Sequence, residues 1–426
     1  MNYHKKLSFA LQAMKEAGAE KAQAELIITK KHELNTESGE ITLFRTNIDN
    51  MLKLKQIKNN KQGTLTLNKI DDSDILEGIE QLKMITEASS ADDAYDIAEP
   101  VTANICIGNL EPNIDEVYDV LKEFIEDMNK MYPQVSGDII ISYDYKKRVL
   151  MNSMGLDLVE ENGSYEFKIN FSATEGEKLT SFNYTAVKLV DLKKKLMEVG
   201  SVNDILNNSV KELNARALGE KFEGDVIITP DCLIELLYDF EDVALTDEAI
   251  ISGSSKYLDK FNQQVASDKL VWYSNPRSVS AGMGITEDGL EAKDMPIIEN
   301  GILKNYMLSQ YGAKKTGLSR SGNCGKFHVI KPGNQSLNDM IKSIDKGILF
   351  CRFSGAYPSA DGSFSGVAKN SFYIKNGEIA YPIEETMVSG NLFSLLKDIK
   401  AISSETVDAG DSILPWIHTT NVTISG

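Results

Sequence analysis

The sequence predicts an α+β fold, with N-terminal α+β units followed by a mostly antiparallel β C-terminal domain. In the first half, amphipathic stretches with helical periodicity alternate with groups of short strands. In the second half, most segments are strand-like and are separated by Asn-Pro, Asp-Gly and Asn-Gly turns. An early strand alternates Leu52 and Leu54 with Lys53 and Lys55, so one of its faces is wet, as is typical of antiparallel sheets.

Length and composition exclude several classes of protein. The chain has 426 residues, enough for two or three domains, and a formal net charge of −18. Because such a surface repels phosphate backbones, no nucleic-acid partner is expected. No apolar run approaches the roughly 18 residues needed to cross a bilayer, and the N-terminus lacks a secretory signal, so no membrane partner is expected. The four cysteines are scattered without a C-x-x-C pair, which predicts a cytoplasmic location.

The first predicted domain spans residues 1–90 and combines two helices with four strands. Apolar residues at helical spacing begin at Tyr3, and Gly18 is expected just beyond the C-terminus of this first helix. Asp72 or Ser73 is the expected N-cap of the second helix. The strands between the helices are predicted at residues 24–30, 41–46, 51–57 and 64–70.

The second predicted domain spans residues 105–220 and is also α+β. An acidic, aperiodic linker at residues 87–102 precedes it. Its opening helix follows Pro112, and Asn162-Gly163 is predicted to be a turn. The strands are predicted at residues 138–145, 148–152, 157–161, 165–173 and 178–185.

The third predicted domain spans residues 222–426 and is rich in strands. After a strand at residues 225–228, Pro230 begins a helix with a stripe of apolar residues at helical spacing: Leu233, Leu236, Leu237 and Phe240. Asn376-Gly377 is the dipeptide favoured in a two-residue type I′ hairpin. Gly390-Asn391 marks the turn into a last short helix.

A glycine- and serine-rich loop is predicted at residues 354–366. Glycine permits positive φ and close backbone approach, so this loop suits contact with a substrate or with another chain. Because it contains no nucleophile–base pair and no metal-ligand spacing, we expect it to frame a site whose chemistry lies elsewhere. The residues predicted to contact substrate or a partner subunit are Gly355, Gly362, Ser363, Ser365 and Gly366.

Several motifs of residues 222–426 occur together in the order seen in a known family. They are Phe222-Glu223-Gly224-Asp225, an acidic-Gly turn with an ENG hairpin and a closing GN in residues 284–323, Ser363-Phe364-Ser365-Gly366, Asn376-Gly377-Glu378 and Gly390-Asn391-Leu392. This region resembles the C-terminal region of the TldD/PmbA family, the so-called modulators of DNA gyrase. The N-terminal half matches only in layout. The resemblance implies a family of metallopeptidases, a peptide substrate and a dimer that encloses a cavity.

The zinc site of the catalytic, TldD-type members is missing from this sequence. Those members carry an H-E-x-x-x-H helix, whose histidines bind zinc and whose glutamate is the general base, and a cysteine from a late loop. Here the equivalent helix, residues 232–242, contains no histidine, and the late loop, residues 403–411, contains no cysteine. The chain therefore resembles the PmbA (TldE) branch. The resemblance implies no catalytic residue, no metal ligand and no cofactor in this chain, and zinc in a TldD-type partner.

No other group of residues replaces that chemistry. Cys324 and His328 form the sole Cys/His cluster, and two ligands are fewer than a zinc site takes. The acidic residues from Asp239 onward lack the spacing of an EF-hand loop, so solvated positions are preferred for them over a weak hard-cation site. Phe364 stands where a nucleophile elbow needs serine. Glu235 and Asp239 share a helical face and could form a perturbed carboxylate pair, but surface positions are expected for both.

We interpret the chain as a PmbA/TldE-like subunit of a cytoplasmic TldD/TldE-type zinc metallopeptidase assembly that acts in the proteolysis of unfolded or modified peptides. Because the chain lacks the zinc ligands, we expect it to be inactive alone. Its partner is a second copy in a homodimer or a TldD-type subunit in a heterodimer, and the β-rich third domain offers strand edges to an extended peptide. The alternative is a non-catalytic peptide-binding or regulatory homodimer, which a genome without a TldD-type gene would favour.

Overall fold

The computed structural model describes residues 2–37 and 39–426, and within them the strands form two large sheets. Eight strands make the N-terminal sheet and fourteen make the C-terminal sheet. Most neighbouring strands are antiparallel, and helices accompany the strands in both halves. The predicted α+β class, with N-terminal α+β units and a β-rich C-terminal domain, is confirmed.

The N-terminal half begins with a helix and ends with a helix. Its elements are α1 (Tyr3–Glu16), β1 (Lys21–Glu37), β2 (Glu40–Lys58), β3 (Lys61–Leu67), α2 (Asp72–Ala88), β4 (Thr102–Gly108), α3 (Ile114–Met131), β5 (Val135–Asn152), β6 (Asp157–Glu175), β7 (Lys178–Leu179), β8 (Asn183–Leu189), a 3-10 turn (Leu196–Glu198) and α4 (Val202–Glu212).

The N-terminal sheet has longer strands than the sequence predicts. Its order is β3-β2-β1-β5-β6-β4, with β7 and β8 paired to β6. Strands β2, β5 and β6 each run through a point where the sequence predicts a break, and the predicted turn at Asn162-Gly163 is wrong because β6 continues through it. Strand β1 pairs with β5, so one sheet joins residues 1–90 to residues 105–220. Whether these ranges fold as separate domains stays a prediction.

The helices cover one face of the N-terminal sheet. Leu26 and Leu34 are eight residues apart in β1, which places both on the same face. Leu26 packs with α1 and α2, and Leu34 packs with α3. The opposite face carries buried charged residues, among them Glu25, Arg148 and Glu160. This second face contacts the C-terminal half.

The C-terminal half is built mainly of short strands. Its elements are β9 (Arg216–Ala217), β10 (Lys221–Ile228), α5 (Pro230–Ala244), α6 (Asp247–Ile251), β11 (Trp272–Ser274), β12 (Met295–Glu299), β13 (Ile302–Leu303), α7 (Gln310–Thr316), β14 (His328–Ile330), α8 (Leu337–Lys342), β15 (Lys346–Phe350), β16 (Arg352–Gly355), β17 (Ser363–Lys369), β18 (Ser371–Lys375), β19 (Glu378–Glu384), β20 (Thr386–Asn391), α9 (Leu392–Lys397), β21 (Ala401–Asp408) and β22 (Ile413–Ser425).

The C-terminal sheet places β10 at its centre, between β22 and β15. Its main order is β13-β12-β11-β14-β22-β10-β15-β18-β19-β9, and β17 joins it through β20 and β22. The predicted hairpin between β18 and β19 is confirmed, since Asn376 and Gly377 both have positive φ (51° and 79°). The predicted helix start is confirmed as well, because the Asn391 side chain caps α9 by accepting from the Phe393 N–H.

Arg148 connects the two halves through a buried hydrogen-bond network. Its Nε donates to Glu25 Oε1 at 2.6 Å, and its Nη1 donates to Glu160 Oε2 at 3.2 Å. The same guanidinium donates to the backbone carbonyls of Ile285 and Thr286 in the C-terminal half. The N-terminal sheet is therefore attached to the C-terminal half by charge-assisted bonds as well as by packing.

The predicted linker also packs against the C-terminal half. Asp92 accepts from the Tyr311 hydroxyl at 2.9 Å and lies 2.8 Å from Lys315 Nζ. The Gln310 side chain donates to the carbonyl of Ile97 at 2.9 Å. This segment is therefore held in place by α7. Across the described residues, no helix combines the length and apolar character required to cross a bilayer.

Candidate functional site

Helix α5 is the element onto which the family resemblance maps the H-E-x-x-x-H motif of TldD-type members. It follows the central strand β10, with Thr229 extended before it and Pro230 in its first turn, where proline is favoured. Its predicted apolar stripe is buried, at Leu233, Leu236, Leu237 and Phe240. The opposite, polar face carries Glu235, Tyr238, Asp239 and Asp242.

The polar face of α5 has an excess of carboxylates. Burial, followed by the nearby carboxylates of Asp242 and Glu235, raises the pKa of Asp239 to about 6. Glu235 and Asp239 lie on this face, away from the buried apolar stripe, and are both half-buried rather than fully exposed. The adjacent Tyr238 has its pKa raised to about 12 by burial and by the charges of Asp411 and Glu241. This face therefore attracts protons or cations.

Glu241 and His328 form a buried pair on the inner side of α5. Burial raises the pKa of Glu241 to about 8, and its two oxygens accept from the backbone N–H of Lys326 at 3.3 and 3.1 Å. Burial lowers the pKa of His328 to about 3. Its Nδ1 accepts from Trp272 Nε1 at 3.1 Å, which places the proton on Nε2. At neutral pH the carboxyl and the imidazole are both uncharged.

The residues around α5 do not fit a zinc ion. A zinc site takes three or four nitrogen, sulfur or carboxylate ligands that converge on one point. In residues 2–37 and 39–426, no three His, Cys, Asp or Glu side chains converge in this way. The polar face offers carboxylates and a tyrosine but no imidazole or thiol, and the Nδ1 lone pair of His328 is engaged by Trp272. The side chains around α5 therefore provide no zinc-dependent reaction step.

The predicted glycine- and serine-rich loop is partly strand. Gly355 pairs with Gly366 between β16 and β17. Ser363 and Ser365 pair with β20. Gly362 has φ +80° and lies against the ring of Phe393. The irregular segment is thus limited to residues 356–362, and the role of these five residues in substrate or subunit contact stays a prediction.

The irregular segment 356–362 approaches the polar face of α5. Its Tyr357 side chain is 62% exposed. The pKa of Tyr357 is raised by burial of its hydroxyl and then by the carboxylates of Asp242, Asp239 and Glu248. The structure therefore brings together two features that the sequence describes separately, the loop and the acidic helix face.

A cleft at the start of α5 lies between the two halves of the chain. Its volume is about 430 Å³, and β8 and α4 form one wall while α5, β15, β16, β21 and β22 form the other. Apolar atoms make up most of its exposed surface, and the apolar residues that line it include Ile205, Ile234, Leu414 and Trp416. More than half of the lining residues are nevertheless polar, including Asp231, Glu235, Arg352 and Asn370. A cleft of this size that combines apolar surface with polar side chains is a candidate ligand site.

The polar groups of the cleft are held by bonds that cross between the halves. The Tyr184 hydroxyl donates to Glu235 Oε1 at 2.6 Å, and the guanidinium of Arg352 lies 4.8 Å from the Tyr184 ring centroid. Ser201 Oγ donates to Asp231 Oδ1 at 2.7 Å, and burial raises the pKa of this carboxyl. These contacts fix the cleft walls relative to each other.

Behind the cleft wall lies a further buried carboxyl. Burial raises the pKa of Glu212 to about 7, and its Oε2 accepts from Asn370 Nδ2 at 2.7 Å. Asn370 itself lines the cleft. Sequence reasoning missed the whole cleft because its walls come from separate segments spread over residues 183–416. The one signal in the sequence was the aromatic pair Phe182 and Tyr184 beside a predicted strand end.

Comparison with known proteins gives a family-model match for the C-terminal half of the chain and similar proteins over most of its length. The family model described as PmbA/TldA metallopeptidase C-terminal domain matches residues 222–426. A "Metalloprotease PmbA homolog" of Haemophilus influenzae is 23% identical over 419 residues, covering 94% of this chain and 90% of that protein. A "Zinc metalloprotease TldD homolog" of Saccharolobus solfataricus is 23% identical over 382 residues, covering 84% and 83%. The crystal structure of TldE from Thermococcus kodakarensis has a similar fold, with a TM-score of 0.82, 21% identity and 100% of both chains covered.

Proposed function

Because this chain belongs to the TldD/PmbA family, we propose that it is a PmbA/TldE-like, non-catalytic subunit of a TldD/TldE-type zinc metallopeptidase assembly. A TldD-type chain supplies the zinc, and the assembly acts in the proteolysis of unfolded or modified peptides. The observation that carries this proposal is the polar face of α5, which presents carboxylates and a tyrosine but no imidazole or thiol, and around which no three ligand side chains of the described residues converge.

The cleft at the start of α5 is the proposed peptide-binding part of this subunit. Its mixture of apolar surface and polar side chains suits a peptide, whose side chains alternate with backbone amides. It also lies beside Glu235 and Asp411, which connects it to the polar face of α5. A peptide held here would lie beside the polar face of α5.

A cytoplasmic location belongs to the same proposal. All four cysteines (Cys106, Cys232, Cys324 and Cys351) are free thiols in the structure. Free cysteines, two of them exposed, are typical of proteins in a reducing compartment. This supports the proposal without depending on the peptidase role.

The test is cleavage of an unfolded, fluorogenic peptide by this chain, by a TldD-type chain and by their mixture. We expect no cleavage by this chain alone and chelator-sensitive cleavage by the mixture. Asn208→Trp would fill the cleft from α4 and should lower the rate of the mixture about tenfold or more. The matched control is Asn203→Trp, on the same helix but outside the cleft, which should leave the rate near that of the wild type.

Two outcomes would redirect the proposal. Chelator-insensitive cleavage by this chain alone would show an independent hydrolase. Peptide binding by this chain, with no effect on cleavage by any TldD-type chain, would favour the rival role of a peptide-binding or regulatory homodimer.

A further inference from the structure

A second cavity, called here the linker pocket, lies where the N-terminal sheet, the segment between α2 and β4, and the start of α7 meet. Its volume is about 330 Å³. Lys55 of β2 and Gln62 of β3 line it from the sheet, Tyr95 and Asp96 from the segment between α2 and β4, and Asp288 from the C-terminal half. The linker pocket shares no lining residue with the cleft at the start of α5.

Lys55 is a cation of this pocket that has no carboxylate partner in direct contact. The sequence places it on the wet face of β2, but the structure half-buries it. Its Nζ donates to the backbone carbonyl of Asp96 at 2.7 Å. Within residues 2–37 and 39–426 it forms no ion pair, so two of its three N–H donors remain available for a ligand.

Lys55 is positively charged at neutral pH. Burial lowers the pKa of Lys55, whereas the nearby carboxylates of Asp288 and Asp96 oppose that shift. The usual pKa of lysine lies about three units above neutral pH, so the ammonium form is retained. A half-buried ammonium group with unused donors is stabilised by an anion that enters the pocket.

The two carboxylates near Lys55 are already neutralised by other cations. Asp96 lies between the ammonium groups of Lys21 and Lys314. Asp288 pairs with the guanidinium of Arg320 at 2.9 Å. Together with the lysine of β2, four cations therefore surround two carboxylates, in a chain whose formal net charge is −18. The pocket is thus a local region of positive potential on an acidic protein.

Neutral groups complete the lining. The rings of Tyr95 and Tyr311 stack with their centroids 5.5 Å apart, and both residues line the pocket. The Tyr311 hydroxyl donates to Asp92, which pairs with Lys315, so this neighbouring ion pair adds no net charge. Gln62 contributes a side-chain amide from the sheet. The pocket therefore combines a cation, hydrogen-bond donors and aromatic surface, which suits a small organic anion.

The same lining does not suit a metal cation. The oxygens of Asp96 and Asp288 are engaged by ammonium, guanidinium and backbone N–H groups. Across residues 2–37 and 39–426, no three His, Cys, Asp or Glu side chains converge on one point. The groups that remain available in the pocket donate hydrogen bonds, and the oxygens of an anion accept them.

We infer that the linker pocket binds a small molecule whose carboxylate or phosphate group contacts the ammonium group of Lys55. Because the pocket is lined from both halves of the chain, the bound anion would connect the N-terminal sheet to the C-terminal half. This site goes beyond the proposed function. It uses neither the cleft nor the polar face of α5, so it stands or falls independently of the peptidase role.

Titration calorimetry of the full chain with inorganic phosphate and, separately, with benzoate tests the site. At least one probe should bind once per chain with a dissociation constant of about 1 mM or lower. Lys55→Met keeps the aliphatic stem but removes the charge, and it should weaken binding about tenfold or more. Lys53→Met is the matched control, two residues away on the same face of β2, because Lys53 is 49% exposed and lies outside the pocket. It should leave binding unchanged.

A second variant and a second measurement keep the test independent of how well Lys55→Met folds. Gln62→Glu places a carboxylate in the pocket wall with Lys55 left in place, and it should also weaken binding about tenfold or more. A probe that binds should raise the melting temperature of wild type more than that of either pocket variant. The general effect of salts on stability acts on all of these proteins alike, so the difference reports the site.

The two probes distinguish the two sources of the anionic group. Binding of phosphate alone assigns a phosphate-bearing ligand, and binding of benzoate alone assigns a carboxylate. Either result supports the inference when Lys55→Met and Gln62→Glu weaken binding and Lys53→Met does not. Absence of saturable binding by both probes, or binding that both pocket variants leave unchanged, would overturn it. Neither result depends on peptide cleavage, so the proposed function is tested separately.

Discussion

Glu241 and His328 are buried titratable residues for which the proposed function has no use, and both are held uncharged. The pKa of Glu241 is raised to about 8 and that of His328 is lowered to about 3, in each case first of all by burial. Glu241 therefore binds a proton on folding at neutral pH. His328 releases a proton on folding when the pH is below the usual pKa of histidine. Their effects on stability have opposite pH dependence.

The first prediction concerns Glu241→Gln. Between pH of about 5 and 8 the folded state holds a proton at Glu241 that the unfolded state releases, so wild-type stability falls by up to ~1.4 kcal/mol per pH unit through this group. Glutamine does not titrate and keeps an oxygen for the Lys326 N–H. The advantage of the variant over wild type should therefore grow with pH. Urea unfolding at several pH values measures it, and parallel stability curves would contradict it.

At Gly163 the local sequence predicts a turn, but the structure has a continuous strand. An Asn-Gly pair predicts a turn, yet here β6 runs straight through Asn162-Gly163. A Cβ at Gly163 would lie 2.1 Å from the carbonyl oxygen of Asn109 and 2.4 Å from the Tyr143 hydroxyl. The glycine is thus required because Asn109 and Tyr143 approach its backbone closely, and not because the chain turns there. That requirement comes from partners fifty and twenty residues away, which local sequence does not reveal.

At the scale of elements, Gly362 connects the predicted loop to the aromatic core. Its φ is +80°, and a Cβ there would lie 2.5 Å from the ring of Phe393. Phe393 packs in turn against Phe240 of α5 and Tyr257. A change in the loop is therefore transmitted to the packing of the helix.

The second prediction compares two glycines with positive φ. Gly362→Val should destabilise the folded state by the usual cost of a β-branched residue in the left-handed region. It should also cost about 1–3 kcal/mol more because the new side chain crowds Phe393. Gly253→Val is the control, because Gly253 has φ +73° and nothing within 4 Å of its would-be Cβ. Denaturant unfolding of the two variants measures the difference in stability. Equal destabilisation would contradict the prediction, because the Phe393 ring would then move aside without a measurable cost.

Elements whose signals are local could be predicted from the sequence. Asn376-Gly377 determines its own hairpin through two positive φ angles, and Asn391 caps its own helix. The apolar stripe of α5 is buried as its periodicity predicts. The lengths of β2, β5 and β6 could not be predicted, because polar stretches inside them are stabilised by neighbouring strands rather than by their own residues.

At the scale of the molecule, the buried network of Arg148 joins the two halves. Glu25 and Glu160 accept its hydrogen bonds from the N-terminal sheet, and Ile285 and Thr286 accept from the C-terminal half. Removing the guanidinium would leave the buried carboxylate of Glu160 without its cation, and that of Glu25 with only Lys53 Nζ at 4.0 Å. Such a loss is costly because the remaining charges cannot be solvated.

The third prediction is that Arg148→Met weakens the coupling between the halves. We expect a loss of about 3–5 kcal/mol, and a separation of two unfolding transitions that coincide in wild type. Both tryptophans, Trp272 and Trp416, lie in the C-terminal half, so fluorescence follows that half while circular dichroism follows both. Lys147→Met, which removes a partly exposed ion pair with Glu161, is the control and should cost at most about 1 kcal/mol. Coincident transitions in Arg148→Met would contradict the prediction.

The candidate site could be predicted only in part, for a reason that belongs to the whole molecule. The missing histidines and cysteine are visible in the sequence, and so is the family. The pairing of β1 with β5, and the approach of β8 and α4 to strands β15, β16 and β22 across the cleft, depend on contacts far apart in the chain. Glu235 lines that cleft, and its partial burial therefore depends on contacts that local sequence does not reveal.

The central claim is that this chain, whose residues 222–426 match a metallopeptidase family model, does not hold zinc itself. Elemental analysis of the purified chain, incubated with excess zinc and then dialysed, tests it most directly. Because the polar face of α5 lacks converging imidazole and thiolate ligands, the result predicted is far less than one zinc per chain. One tightly bound zinc per chain, lost when Asp239 is changed to Asn, would contradict the claim.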